Sequence, residues 1–341
     1  MLRQIKVYME DIMHRMTKNG KRFFVIKSVI YIVALCLGCL LVNSKAEAKL
    51  NKLQVKGTKV VDSKGKEVQL KGVSTHGIAW FPEYVNKKQF ASWKKFGANT
   101  VRLALYSDKS DGFSTSLYKK VEEGVKYATE LNMYVIIDWH ILRDGNPKTN
   151  QKQAASFFTK MAKKYANYTN VIYEICNEPN SGATWEKDIK PYAKKMYSVI
   201  RKYDKEGIII VGTPNWSQDV DIVAKSPLTN VTNVMYSLHF YAATHTDWIR
   251  EKATKAIKDG LPIFVSEFSI CESTGSGRID TKSADKWMKL IRKYKLPYVG
   301  WNVSNKNETS SLLKSSCKKT GTIKKGNLSK TGQWLIKQFK K

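Results

Sequence analysis

Residues 134–140 read YVIIDWH and residues 171–179 read VIYEICNEP, with a segment of helical periodicity over Gln151–Tyr168 between them. Both runs are apolar at consecutive positions before they reach polar residues, which is typical of a strand that is covered on both faces. A strand, a helix and a second strand of this kind predict a parallel βα unit.

The same pattern recurs along most of the chain. The predicted strands are Gln69–Thr75, Asn99–Tyr106, Tyr134–Trp139, Val171–Asn177, Ile208–Gly212, Val234–Tyr241, Ile263–Phe268 and Tyr298–Val303. Other predicted helices, with Lys-rich outer faces, are Leu117–Leu131, Trp185–Tyr203, Thr246–Lys258 and Asp280–Tyr294. Eight such units over residues 49–341 predict a single-domain α/β fold, the (β/α)8 TIM barrel.

Both ends of the predicted barrel have further elements. A short N-terminal β-hairpin is expected over Leu53–Leu70, turning at residues 63–65, and a last helix carries Trp334 and Leu335. A doubly wound open sheet is the alternative fold. The first strand is not followed by a Gly-rich phosphate loop, which counts against that alternative.

The first 48 residues have the features of a targeting segment. Basic residues up to Lys27 precede an apolar run over Ser28–Val42, and Ala46-Glu47-Ala48 follows it. This order predicts a secretory signal peptide over residues 1–48 and a mature, extracellular chain over residues 49–341. An uncleaved anchor is the alternative, but the apolar run is shorter than the roughly 20 residues of a spanning helix. We expect no stable membrane association after cleavage.

The chain is strongly basic. Its 341 residues include 59 Lys and Arg against 29 Asp and Glu, a formal charge of +30 at pH 7. Such a charge raises the question of nucleic-acid binding. However, 50 of the basic residues are Lys and only nine are Arg, the residue better suited to bidentate phosphate and base contacts. We therefore expect a solvated Lys-rich surface and no nucleic-acid partner.

Three of the five cysteines remain after residue 48. Cys176, Cys271 and Cys317 form an odd set without metal-ligand spacing, so the sequence predicts neither a disulfide scaffold nor a zinc site. If one disulfide forms, Cys271–Cys317 is the favoured pair. We expect no metal and no cofactor.

Polar and aromatic side chains converge where the predicted strands end. The ordered motifs are Ser74-Thr75-His76-Gly77, Val101-Arg102, Ile137-Asp138-Trp139-His140, Tyr173-Glu174-Ile175-Cys176-Asn177-Glu178-Pro179, His239-Phe240-Tyr241, Ser266-Glu267-Phe268 and Trp301-Asn302. A (β/α)8 barrel builds its active site at this end of the strands. Because desolvated polar groups cost free energy, their convergence indicates a functional site.

Two glutamates on different strands suggest a reaction. Glycoside hydrolysis needs one carboxyl group that donates a proton and one that is ionised, and Glu178 and Glu267 are candidates for the pair. Arg102 and the histidines would set their protonation states. Four tryptophans in or beside the strand-end loops would stack on sugar rings, with core packing as the alternative for each: Trp80, Trp139, Trp216 and Trp301.

Taken together, these motifs resemble glycoside hydrolase family 5, and more narrowly the secreted bacterial endo-β-1,4-glucanases of its subfamily 2. The resemblance extends from about Leu50 to Phe339. It implies that a secreted monomer hydrolyses internal β-1,4-glucosidic bonds of cellulose-type glucans by a retaining double displacement that uses two glutamates.

The resemblance also implies roles for individual residues. Glu178 corresponds to the general acid/base and Glu267 to the nucleophile, with their carboxyl groups about 5–5.5 Å apart. The remaining catalytic positions are Arg102 and Tyr241 beside the nucleophile, Asn177 at the sugar 2-hydroxyl and His239 beside the acid/base. The substrate-binding positions are His76, Trp80, Trp139, His140, Trp216, Trp301, Lys306 and Glu308.

Some positions depart from the family pattern. Cys176 replaces a small residue, Ser269-Ile270-Cys271 replaces Gly-Thr and a small residue, and residues 320–325 lack the second Gly and the Trp found in relatives. Preference among cellulose, mixed-linkage glucan and mannan therefore stays open, as does a sister activity on mannan or xyloglucan. A non-catalytic sugar-binding barrel, a nucleic-acid binder and a His-based metal site are the alternatives from other classes.

Overall fold

The computed structural model describes residues 50–341, so the predicted signal peptide lies outside the described residues. The chain begins with a two-stranded antiparallel sheet, β1 (Leu53–Lys56) and β2 (Lys59–Asp62). A closed barrel of parallel strands follows. Its strands are β3 (Lys71–Thr75), β4 (Thr100–Tyr106), β5 (Tyr134–His140), β6 (Val171–Glu174), β7 (Ile209–Val211), β8 (Val234–Tyr241), β9 (Ile263–Ser269) and β10 (Tyr298–Val303). The predicted (β/α)8 barrel is confirmed.

Helices cover the outside of the barrel. They are α1 (Lys87–Phe96), α2 (Tyr118–Glu130), α3 (Gln151–Tyr165), α4 (Lys190–Arg201), α5 (Val220–Lys225), α6 (Asp247–Lys258), α7 (Thr281–Tyr294) and α8 (Lys330–Gln338). Short helical turns lie at Pro82–Tyr84, Lys109–Asp111, Thr115–Leu117, Trp185–Ile189, Pro214–Ser217 and Lys325–Asn327. Among these described helices, none combines the length and apolar character that crossing a membrane requires.

Local sequence signals set the helix ends. The Asn86 side chain accepts a hydrogen bond from the Gln89 amide at 2.9 Å and caps α1, which ends at Gly97 with φ of 114°. Ser329 caps α8 in the same way, accepting from the Gly332 amide at 3.0 Å. Side-chain caps satisfy amides that the first helical turn leaves without partners, and a left-handed glycine ends a helix at little cost.

The barrel interior is divided into an apolar layer and a polar layer. The apolar layer fills the amino-terminal half, and the hairpin residues Leu53 and Val60 pack against it from below. Its other buried members are Leu70, Tyr134, Ile136, Ile172, Ile208, Ile210, Met235, Phe264 and Val299. The polar layer lies nearer the carboxyl ends and includes the fully buried Arg102 and Glu174. The predicted functional side chains therefore lie next to a closely packed apolar layer.

The position of the hairpin turn differs from the prediction. The β1–β2 hairpin turns at Gly57-Thr58, where Gly57 has φ of 58°, and not at residues 63–65. Residues 63–65 form a second turn, because the Asp62 side chain accepts from the amides of Lys64 and Lys66 at 2.9 and 3.0 Å. Both segments contain a glycine, so turn chemistry alone does not identify the hairpin.

Gly332 allows α8 to approach the loop after β10. A Cβ added at this position would lie 2.1 Å from the Leu312 carbonyl oxygen. We expect Gly332→Ala to lower the free energy of unfolding by about 1–3 kcal/mol, because a backbone carbonyl has little room to move aside. Thermal unfolding measures this effect. Gly326→Ala is the control, since its added carbon has no atom within 4 Å; equal losses in both variants would contradict the expectation.

Candidate active site

A cleft of about 840 Å³ opens at the carboxyl ends of the barrel strands. Most of the predicted site residues line it, namely His76, Trp80, His140, Glu178, Trp216, His239, Tyr241, Glu267, Trp301, Lys306 and Glu308. Arg102 and Asn177 are fully buried and contact the residues that line the cleft. Trp139 does not line the cleft.

Two carboxyl groups face each other in this cleft. Glu178 follows β6 and Glu267 lies on β9, where it pairs with His239 of β8. One carboxylate oxygen of each glutamate and a ring nitrogen of His239 all lie within 4.8 Å of one another. The glutamates expose only 9% and 3% of their surface, so water screens their interaction weakly.

The Arg102 guanidinium lies beside Glu267 and contacts five polar side chains, of which Ser74 Oγ is the most distant at 3.4 Å. It donates hydrogen bonds to Glu174 Oε2 at 2.6 Å, Asn177 Oδ1 at 2.6 Å and Glu267 Oε2 at 3.0 Å. It also forms an ion pair with Asp138, whose Oδ2 lies 3.0 Å away. Burial acts to lower the pKa of Arg102, but the three carboxyl groups outweigh it and raise this pKa above its ordinary value. Arg102 is therefore a permanent buried cation.

Both oxygens of Glu267 receive a hydrogen bond. Arg102 donates to Oε2, and the Tyr241 hydroxyl donates to Oε1 at 2.8 Å. Burial, followed by repulsion from Glu178, raises the pKa of Glu267, while His239, Arg102 and Tyr241 act in the opposite direction. Burial also raises the pKa of Tyr241, which keeps its hydroxyl protonated as a donor. These donors fix the orientation of Glu267 and favour its carboxylate form.

His239 links the second glutamate to the polar layer. Its Nδ1 lies 2.9 Å from Glu178 Oε1, and its Nε2 lies 2.9 Å from Ser266 Oγ. Burial acts to lower the pKa of His239, but the nearby carboxyl groups of Glu174, at 3.8 Å, and Glu178, at 2.9 Å, outweigh it and raise this pKa to about 9. At neutral pH His239 is therefore an imidazolium that donates to Glu178. Both ring nitrogens of His239 are therefore engaged in hydrogen bonds.

Glu174 is a functional residue that the sequence analysis did not single out. It is fully buried and accepts hydrogen bonds from Ser266 Oγ at 2.7 Å and Ser237 Oγ at 3.1 Å, besides the bond from Arg102. Burial acts to raise the pKa of Glu174, but Arg102 and His239 lower it to about 2. The sequence signal that could have identified Glu174 is the presence of an acidic residue inside the apolar run VIYEIC.

A neutral histidine and aromatic rings form one wall of the cleft. His140 Nδ1 lies 2.6 Å from Asp138 Oδ2, and its Nε2 lies 3.2 Å from Asn177 Nδ2. Burial holds the pKa of His140 well below its ordinary value, so Nδ1 donates and Nε2 accepts. The ring stacks on Trp301 at 5.2 Å and contacts Tyr106 at 4.2 Å. Tyr106, which ends β4, was not predicted as a site residue.

Three predicted substrate-binding residues form a polar corner. Lys306 Nζ lies 2.7 Å from Glu308 Oε2, and His76 Nε2 lies 3.5 Å from Lys306 Nζ and 3.9 Å from Glu308 Oε1. Burial lowers the pKa of His76 to about 4, so the ring is neutral at pH 7. The corner offers hydrogen-bond donors and acceptors suited to hydroxyl groups.

Exposed indole rings stand at the rim of the cleft. Trp80 and Trp216 expose 45% and 44% of their surface, and Trp248, which was not predicted, exposes 46%. Residues 215–217 have φ of 55°, 55° and 56°, a left-handed conformation that costs non-glycine residues free energy. The Ser217 hydroxyl donates to the Asn177 carbonyl at 2.7 Å, which ties this loop to the strand end.

The prediction that Trp139 binds substrate is wrong. Trp139 is fully buried, and its ring packs at 5.3 Å from Phe113 and 5.4 Å from Phe157. Successive residues of a strand point to opposite faces, and its neighbours Asp138 and His140 point into the barrel. Trp139 therefore points outward into the core between barrel and helices.

The favoured disulfide does not form. Cys176, Cys271 and Cys317 are all free and buried. Cys271 instead belongs to the apolar cluster that contains Tyr241 and Trp301, two residues that line the cleft.

A (β/α)8 barrel with two facing carboxyl groups, a buried guanidinium and exposed indole rings at its strand ends has the features of a glycoside hydrolase. A family model described as cellulase (glycosyl hydrolase family 5) matches residues 61–307. The chain belongs to glycosyl hydrolase family 5.

Relatives agree with this assignment. The chain is 43% identical over 302 residues to an endoglucanase from Clostridium saccharobutylicum, covering 86% of this chain and 67% of the relative. It is 41% identical over 308 residues to endoglucanase A from Butyrivibrio fibrisolvens, covering 88% and 71%. Among solved structures, the catalytic domain of a Thermobifida fusca endoglucanase in complex with cellotetraose matches with a TM-score of 0.80 and 34% identity, covering 85% and 97%.

Glu174→Gln tests the buried charge beneath the carboxyl pair. Because the variant removes a negative charge near His239, we expect the pKa of His239 to fall below the wild-type value of about 9. The wild-type pKa exceeds the ordinary value of about 6.5, so the linked stabilisation is complete below that pH and lost as pH rises through about 9. In the variant this loss should begin at lower pH.

Nitrogen NMR of the His239 ring measures this titration, and thermal unfolding against pH measures the linked stability. Glu186→Gln is the control, since Glu186 is an exposed glutamate paired with Lys190. A His239 titration that is the same in both variants and the wild type would contradict the assigned role of Glu174.

Proposed function

We propose that this chain is an endo-β-1,4-glucanase that cleaves internal bonds of cellulose-type glucans with retention of anomeric configuration. The observation that carries the proposal is the approach of Glu178 and Glu267, whose nearest oxygens lie within 4.8 Å. Retaining enzymes hold their two carboxyl groups about 5–5.5 Å apart, whereas inverting enzymes need about 6.5–9.5 Å to admit a water molecule.

In the first step, Glu267 attacks the anomeric carbon and the glycosidic C–O bond breaks. Glu178 gives its proton to the departing oxygen, so one sugar chain leaves and the other is bound to Glu267 as an ester. The donors Arg102 and Tyr241 align the Glu267 carboxylate for attack. The His239 imidazolium stabilises the carboxylate that Glu178 becomes.

In the second step, Glu178 takes a proton from water, and the resulting hydroxide oxygen attacks the anomeric carbon. The ester bond to Glu267 breaks, which restores both carboxyl groups to their starting forms. Two displacements at one carbon leave its configuration unchanged. Because Glu178 alternates between acid and base, its hydrogen bond to His239 has to serve both forms.

The walls of the cleft support a glucan as substrate. Trp80, Trp216 and Trp248 present indole faces to which the apolar faces of pyranose rings can stack. Trp301 would form the stacking platform nearest the reacting sugar, and Asn177 would bind its 2-hydroxyl. The names of the relatives and the cellotetraose complex of the Thermobifida fusca enzyme favour β-1,4-linked glucose over mannan.

Product analysis tests this function. The chain should release reducing sugar from carboxymethyl-cellulose faster than from mannan or xyloglucan. Cello-oligosaccharide products, followed by proton NMR during the reaction, should appear first as the β-anomer. Faster hydrolysis of mannan would support the sister activity, initial α-anomer would exclude the retaining mechanism, and oligosaccharide binding without hydrolysis would leave a sugar-binding barrel.

The enzyme is proposed to act outside the cell as a monomer. The support for export is the order of a basic stretch, a 15-residue apolar run and Ala46-Glu47-Ala48. Amino-terminal sequencing of protein from the culture medium should begin at Lys49. Recovery of the full chain in the membrane fraction would instead indicate a retained anchor.

Separate roles for the two glutamates predict different responses to added azide. Glu178→Ala should lower kcat by about 10²–10⁴-fold, because general acid–base assistance contributes about that much. Azide should then restore turnover and yield a β-glycosyl azide, since it attacks the ester on Glu267. Glu267→Ala should lose activity because it lacks the nucleophile. Azide would then attack the anomeric carbon directly and give an α-glycosyl azide.

Mass spectrometry and NMR identify the azide products, and Glu186→Ala, at an exposed site, serves as the control. Azide products of the same configuration from both variants would contradict the assigned roles.

Loss of a rim indole should weaken substrate binding. We expect Trp80→Ala and Trp216→Ala each to lower kcat/KM on cellopentaose by about tenfold, which corresponds to about 1.4 kcal/mol of lost stacking. Steady-state kinetics measure this change. Tyr168→Ala is the matched control, because Tyr168 is 37% exposed but does not line the cleft; equal losses in all three variants would contradict the rim assignment.

A further inference from the structure

One face of the barrel carries much of the positive charge of the chain. Helix α1 and residues 309–341 together contain thirteen lysines and no Asp, Glu or Arg. The two segments are distant in sequence but adjacent in the fold, because β3 and β10 are neighbours where the barrel closes. The excess of basic residues in these two segments is therefore concentrated in one part of the fold.

Hydrogen bonds join the two segments directly. The Ile323 amide donates to Ser92 Oγ of α1 at 3.1 Å, and Asn86 Nδ2 donates to the Thr320 carbonyl at 2.7 Å. The loop between β10 and α8 thus lies against the start of α1. We call the exposed lysines of this junction the lysine face: Lys88, Lys314, Lys318, Lys319, Lys324 and Lys325.

The lysine face lacks the ion pairs that other lysines of the chain make. Lys120, Lys190 and Lys255 each have a carboxylate within 3.3 Å. Within the described residues, no lysine of the face has a carboxylate within 4.0 Å. Lys87, the residue before Lys88 on α1, is paired with Glu130 at 2.8 Å and is excluded from the face. Like charges left unbalanced repel one another, and an anionic partner would relieve that repulsion.

We propose that the lysine face binds an anionic polysaccharide with regularly spaced carboxylates, of the polyuronate class. Lysine ammonium groups act as point charges suited to single carboxylates, and the face has no Arg for bidentate contacts to phosphate. None of the large hydrophobic side chains that are exposed in the described chain lies in α1 or residues 309–341. Rings to stack on bases and apolar anchors for a lipid surface are therefore lacking.

The position of the face gives this binding a consequence. Lys306 and Glu308 line the cleft, and the same loop reaches Lys314 six residues later. A polyuronate bound at the lysine face would lie beside the glucan cleft. The enzyme would thereby be retained where the two polymers are mixed. This inference goes beyond the proposed hydrolysis and does not depend on it.

Affinity for polygalacturonate, measured by native affinity electrophoresis and calorimetry, tests the proposal. We expect a variant with all six lysines of the face changed to Gln to bind at least about tenfold more weakly, since six modest charge contacts are lost. Wild-type binding should weaken steeply as salt is raised. The control removes equal charge from exposed lysines across the barrel, at Lys152, Lys163, Lys194, Lys195, Lys202 and Lys225.

The control variant should keep affinity within about twofold, and both variants should keep wild-type hydrolysis of short cello-oligosaccharides, which shows that they are folded. Equal losses in the two variants would reduce the effect to net charge and overturn the assignment. Tighter binding of duplex DNA or of anionic vesicles at the same salt would assign the face to another partner. If hydrolysis is absent but polygalacturonate binding is lost only in the face variant, the proposed function fails and this inference stands.

Discussion

A single buried cation organises the active end of this barrel. The Arg102 guanidinium has no exposure to solvent and joins side chains from both sides of the barrel: Asp138 of β5, Glu174 of β6, Asn177 after it and Glu267 of β9. A buried charge costs several kcal/mol unless close partners compensate it, so the carboxyl groups and the guanidinium depend on one another. Removal of Arg102 would leave buried carboxylates without their counterion.

The same network gives two chemically identical side chains different surroundings. Glu267 receives bonds from Arg102 and Tyr241 on separate oxygens, which align its carboxyl group and oppose the rise in its pKa that burial causes. The bond that Glu178 receives from the polar layer comes from His239, a group that is itself able to titrate. Glu178 and Glu267 therefore differ in their hydrogen-bond partners, as two carboxyl groups with different roles in one reaction do. The apolar layer and the hairpin pack beneath this arrangement.

Much of this architecture could be predicted from the sequence, because strands covered on both faces leave long apolar runs. The predicted bounds of β8 and β10 agree with the structure to the residue. Trp139 was misplaced because strand alternation, which turns it away from His140, was not applied. Glu174 was missed because its partners lie on other strands, and the sequence does not show which side chains of different strands meet in the same layer of the barrel. Trp248 lies on α6, where helical periodicity does not distinguish a cleft rim from ordinary surface.

The covalent step can be observed directly. A 2-deoxy-2-fluoro-cellobioside with a good leaving group slows both displacements, and the second more than the first when the leaving group is reactive. We expect one added 2-deoxy-2-fluoro-cellobiosyl group per chain, located by peptide mass spectrometry on Glu267. Labelling of Glu178 instead, or steady turnover with inversion and no adduct, would contradict the claim that the Arg102 network holds Glu267 as the nucleophile.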